Sequence, residues 1–288
     1  MSLSQRVVAG ALTAALAAVP LAIVPAAQAA SPPTIKVSIG QQRFVHMPAH
    51  VRPGVHRFVV RSAKSSAFQL LRARRGYTKR EAVRDVTRGL IAEQSNIAAL
   101  RRFERNVVLA GGVSSAPGTP GVMWARLDTG RYWAVDTNLM KLAPDKLRTV
   151  DVRGHRVAGA LPAGPTLRAI HETQWAPKPA TIPARGVLRF VNDSVDNHFI
   201  AMGKLLPGKT VDDFAAWVKA VKGGAEMPPP IDESSPGLDS GALSPGHAMA
   251  MRYHLPPGDY VLTCFWPDAD MGGLPHAFMG MFRGITVE

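Results

Sequence analysis

The single cysteine of this 288-residue chain, Cys264, is the residue whose chemistry depends most on its surroundings. It has no partner cysteine, so no intrachain disulfide can form. The thiol is then either a small buried core group or a thiolate held by a metal ion. Several familiar chemistries are excluded by pattern. There is no Cys-x-x-Cys pair, no Gly-rich phosphate loop, no serine nucleophile elbow and no His-x-His pair. His171-Glu-Thr-Gln-Trp lacks the second histidine of a zinc-protease helix.

The elements that must position such groups come in two copies. Thr34-Ile-Lys-Val and Thr166-Leu-Arg-Ala open segments that run in parallel about 132 residues apart. VRPGVHRFVVRSAKSSAFQLLRARRGYTKRE, ending at Glu81, aligns with IPARGVLRFVNDSVDNHFIAMGKLLPGKTVDD, ending at Asp213. In both, Gly-x-Thr is followed by an acidic residue, giving Thr78 with Glu81 and Thr210 with Asp213, the pattern of a helix N-terminal capping box. After Thr210 the apolar Phe214, Trp217, Val218 and Val221 share one helical face. Each copy closes in alternating strands, GVMWARLDTGRYWAVDTN and GHAMAMRYHLPPGDYVLTCFWPD. This pattern predicts a mainly-β chain of two tandem Greek-key β-sandwich domains, each with a helical insertion. They are expected to span 30–160 and 161–288, with the boundary in the loop around Ala158 to Pro165.

Under this alignment His198 falls opposite Ser66 and Cys264 opposite Asp136, so the second copy carries groups that the first lacks. Leu188 to Leu205 and Gly258 to Glu288 resemble the cupredoxin, or blue copper, superfamily. In that family one histidine follows an Asn-containing strand end. The cysteine, a second histidine and a methionine come from the loop joining the last two strands. Here Asn192 and His198 match the first element, Cys264 follows a Gly-x-Tyr strand, and His276-x4-Met281 precedes a terminal strand from Phe282 to Val287. The resemblance implies one type 1 copper held by His198, Cys264, His276 and Met281, with Met279 open as an alternative axial ligand. Two neutral imidazoles and a thiolate form a trigonal set, and a long axial thioether tunes its potential. The first copy is then a degenerate domain without ligands. Between Cys264 and His276 stand eleven residues, more than family members have, and the insert DADMGGLP either bulges outward or holds His276 away.

The chain begins with one basic residue, Arg6, then an Ala/Val/Leu run interrupted by Pro20 and Pro25, then Ala27-Gln28-Ala29. Residues 1–29 therefore read as a secretory signal peptide, and the mature protein is expected to be secreted and soluble. Charge divides unevenly: net +16 from Ala30 to Ile170 and net −4 from His171 to Glu288. The basic first copy, densest between Arg72 and Arg105, could meet an anionic cell-wall polymer or membrane surface. Nucleic acid is not expected, because the protein is exported and aromatic residues are not interleaved with the charges. The functional expectation is an electron carrier working with an unidentified redox partner protein rather than a catalyst. A copper-free interaction module on the same scaffold is the alternative.

Overall fold

Alternation of apolar and polar side chains builds the strands. In β1 (Thr34–Ile39), Ile35, Val37 and Ile39 are buried while Thr34, Lys36 and Ser38 face outward. The computed structural model describes residues 31–92, 94–138 and 142–288, and the expected signal peptide lies outside them. The first half continues with β2 (Val45–His46), β3 (His50–Val51), β4 (Gly54–Ser62), β5 (Ser66–Ala73), β6 (Val107–Ser115), β7 (Gly121–Leu127), β8 (Gly130–Asp136) and β9 (Arg148–Val152). The second half opens with β10 (Thr166–Ile170), β11 (Gln174–Trp175), β12 (Thr181–Ile182), β13 (Arg185–Asn192), β14 (Ala201–Lys204) and β15 (Leu238–Asp239). It closes with β16 (His247–His254), β17 (Gly258–Thr263), β18 (Pro267–Asp268), β19 (Leu274–Pro275) and β20 (Phe282–Val287).

Both halves stack two sheets in the same strand order. The first has β2-β1-β4-β7 over β3-β9-β8-β5-β6, and the second has β11-β10-β13-β16 over β12-β20-β17-β14-β15. The parallel pairs β1 with β4 and β3 with β9 recur as β10 with β13 and β12 with β20. The chain is therefore mainly β, with two sandwiches, and helices interrupt each at the same place. Between β5 and β6 lie α1 (Lys79–Val86), a π-turn over Thr87–Ile91 and α2 (Ile97–Asn106); between β14 and β15 lies α3 (Val211–Lys222). The capping boxes form at Thr78 with Glu81 and at Thr210 with Asp213, and Asn96 caps α2 by accepting from the Ala99 amide at 2.9 Å. No helix among the described residues is long and apolar enough to cross a membrane.

The halves are joined edge to edge. β7 pairs antiparallel with β16, with Met123 opposite Met251 and Trp124 opposite Ala250, so that one eight-stranded sheet runs through both. Most buried apolar residues form one cluster that spans both halves, from Phe58 and Phe68 to Phe190 and Tyr260, with two smaller clusters around Trp124 and around Phe214. Below the sheet the backbones touch at Gly112 and Gly241, where a Cβ on Gly241 would lie 2.4 Å from Gly112 Cα. Gln69 staples this contact. Its Nε2 donates to the Gly111 and Ala242 carbonyls, and its Oε1 accepts from the Ala242 amide at 2.8 Å.

Candidate metal centre

Two loops supply the donors, and backbone hydrogen bonds fix each. His198 lies in the turn between β13 and β14, clamped by a two-way bridge to Leu243, N–H to carbonyl at 3.0 Å and back at 2.7 Å. Asn192, at the end of β13, holds the same turn: its Nδ2 donates to the Asp196 and Leu243 carbonyls, and its Oδ1 accepts from the Ser194 amide and hydroxyl. Cys264 directly follows β17. Its amide donates to the Met281 carbonyl at 3.3 Å and its carbonyl accepts from Ala277 at 2.6 Å. His276 opens a 3-10 turn through Met279, ended by Gly280 at φ 100°, a conformation that glycine adopts without strain. The Met281 amide then returns to the His276 carbonyl at 3.0 Å.

His276 Nδ1 lies 3.0 Å from His198 Nδ1 and 3.8 Å from Cys264 Sγ, and the three donor atoms all fall within 4.8 Å of one another. The three residues have no exposed surface. Metal–nitrogen bonds of ~2.0 Å and metal–sulfur bonds of ~2.3 Å reach across both separations, so the set fits one first-row ion. Met281 is fully buried, and its backbone bonds to both Cys264 and His276; Met279 is half-buried.

The electrostatics suit a metal equally well. Burial lowers the His198 pKa to about 3, with the nearby His276 adding to the effect, and lowers His276 to about 4. Both imidazoles are therefore neutral, the form that ligates. Burial pushes the Cys264 thiol up to about 12, so without a nearby cation it stays protonated; a bound metal reverses that preference. The thiol's sulfur also receives the Trp266 amide at 3.5 Å.

The long Cys264–His276 insert bulges outward and leaves the donors together. Its base is a short ribbon of β18 and β19, with Pro267 opposite Pro275 and Asp268 opposite Leu274. Its tip rests on the first half's α2, where Arg101 Nη2 donates to the Ala269 carbonyl at 3.1 Å and to Asp270 at 2.6 Å. Sequence reasoning missed the carboxylates beside the centre. Asp196 and Asp268 lie within 4.8 Å of a His276 ring nitrogen. Burial first, and then the charges of Asp268 and Glu104, raise Asp196 to about 6. Nothing local marks Glu104, which sits 162 residues from the Trp266 indole that it binds.

The corresponding place in the first half has other chemistry. Register puts Phe68 opposite Asp136, just as β14 and β17 bring Cys264 beside the His198 turn. Asp136 is buried; its Oδ2 accepts from Arg43 at 2.7 Å and its Oδ1 from the Ala67 and Asn138 amides. An ion pair fills the position where the second half gathers its donors.

No protein-family description matches this chain, and no curated protein is similar to it. Among solved structures, dithionite-reduced auracyanin from Roseiflexus castenholzii is 23% identical, covering 45% of this chain and 99% of its own, with a TM-score of 0.29. Auracyanin B is 19% identical over 44% of this chain and 93% of its own, with a TM-score of 0.26. A Cu-containing nitrite reductase from Thermus scotoductus is 12% identical over 90% of this chain and 68% of its own, with a TM-score of 0.23. At such scores the architecture stands on the strand order and registers instead. Two stacked sheets of mixed parallel and antiparallel strands, with a His–Cys–His cluster where the last two long strands meet, give a cupredoxin-like β-sandwich fold. This chain has two such sandwiches in tandem, with the cluster in the second.

Proposed function

We propose that this protein binds one type 1 copper through His198, Cys264, His276 and Met281 and exchanges single electrons with a redox partner protein outside the cytoplasm. One observation carries the reading: two imidazoles held neutral and one thiol converge from two fixed loops in a site without exposed surface. Copper so held would cycle between its one-electron states. The chain's own part is to keep the donors in place, since the two-way His198–Leu243 bridge and the backbone bonds from Cys264 to Met281 and Ala277 limit rearrangement when the charge changes. Full burial and backbone ties to both Cys264 and His276 favour Met281 over Met279 as the axial group. The leader-like residues 1–29 support an exported protein.

The test is a copper titration of the mature protein, with the visible spectrum and metal content read on one sample. An intense thiolate-to-copper band at one copper per chain is expected, and Cys264→Ser is expected to abolish both band and stoichiometric binding. Unchanged binding by that variant would remove the assignment.

A further inference from the structure

Helix α2 belongs to the first half, yet one of its faces is turned to the ligand loops of the second. Ile97, Arg101 and Glu104 recur at the four- and three-residue spacings that share a helical face. Ile97 meets the insert at Gly273, where a Cβ would lie 3.3 Å from Ile97 Cδ1 and 2.9 Å from Ser95 Cβ. Arg101 holds Ala269 and Asp270. Glu104 reaches deepest. Its Oε1 accepts from the Trp266 indole Nε1 at 2.8 Å and from Asn197 Nδ2 at 3.3 Å.

Each donor is one step from a metal ligand. Asn197 precedes His198, and its Oδ1 accepts from the Ser244 hydroxyl at 2.7 Å. Trp266 gives its amide to Cys264 Sγ at 3.5 Å and accepts the His276 amide on its carbonyl at 2.9 Å. A single carboxylate oxygen from the first half thus ties together the two loops that supply the donors. Removing it would leave two partly buried N–H groups without an acceptor and free the loops to shift independently.

We infer that Glu104 is a positioning residue for the metal centre, and that the first half, whose described residues form no such donor cluster, serves as the clamp that sets ligand geometry in the second. The coupling to copper rests on the function proposed above; the tie between the loops does not. Groups that orient ligands without touching the ion typically change affinity 10- to 100-fold when removed.

The experiment uses the full mature chain with Glu104→Ala, Glu104→Gln and Trp266→Phe. In the metal-free protein, the Trp266 indole N–H, identified by its loss in Trp266→Phe, is expected to be protected from hydrogen exchange. Glu104→Ala should abolish that protection and Glu104→Gln, which keeps an acceptor oxygen, should restore it. With copper, Glu104→Ala should weaken binding ~10-fold or more and shift the thiolate-to-copper band, with Glu104→Gln close to the parent. If Glu104→Ala does not fold, Trp266→Phe carries the same spectral comparison, because it removes the indole donor while keeping an aromatic ring at the site. Parental affinity and band in a folded Glu104→Ala, or unchanged indole exchange, would overturn the clamp. A parent chain that binds no copper would sink the copper reading, while the exchange measurement would still decide whether Glu104 ties the loops.

Discussion

Burial sets the proton inventory of the centre. At neutral pH both imidazoles are already unprotonated, near 3 and 4, while the Cys264 thiol holds its proton up to about 12. Copper binding at pH 7 is therefore expected to release one proton, from the thiol alone. Affinity should then rise about tenfold per pH unit from pH 5 to 9, because each added unit deprotonates more of the competing thiol. Calorimetry in buffers of different ionisation enthalpy would count that proton, and a count near zero would exclude the thiolate as a ligand. In the metal-free protein the same histidines work against stability in acid. Below about pH 6.5 the unfolded chain takes up protons that the folded chain refuses, so their contribution falls as pH drops toward 4. Asp196, raised to about 6, opposes this: below that pH the folded state holds a proton that the unfolded state releases. The first half's Arg43–Asp136 pair is a different case. Arg43→Ala leaves a buried carboxylate with only its two amide donors, and a loss of about 3 kcal/mol is expected from denaturant unfolding, the low end for a broken buried pair because Arg43 is partly exposed.

At the scale of elements, the capping boxes were legible because their signal spans four residues. Thr78→Ala or Thr210→Ala removes the acceptor of an N-terminal helix amide, and each should lower stability by about 1 kcal/mol in chemical denaturation. The strands were legible for a similar reason, since the alternation in β1 or β13 reports which face is covered without saying by what. The insert after Cys264 was not legible in the same way. DADMGGLP reads as an outward bulge or as a spacer equally well, and the choice falls to Arg101, 169 residues away from its partner Asp270. A polar Gly-rich segment has little conformational preference of its own, so the surface it meets decides its course.

Across the whole molecule, the shared eight-stranded sheet and contiguous core make the two halves one cooperative body. Calorimetry is expected to show a single unfolding transition, and two resolved transitions would contradict that coupling. Gln69→Ala removes the acceptor of the buried Ala242 amide together with the donors to Gly111 and Ala242, and a destabilisation of about 2–3 kcal/mol is expected. The sequence by itself determined the strand-rich class and the helix starts at Thr78 and Thr210, which depend on neighbours close along the chain, and it offered His198, Cys264, His276 and Met281 as candidate donors. Only the tertiary structure decided that three of those donors converge, that Arg43 and Asp136 pair in the first half across 93 residues, and that Glu104 joins the ligand loops. Those outcomes depend on which surfaces meet. A carboxylate or an arginine has the same chemistry whichever partner it finds, so its own residue type does not name that partner.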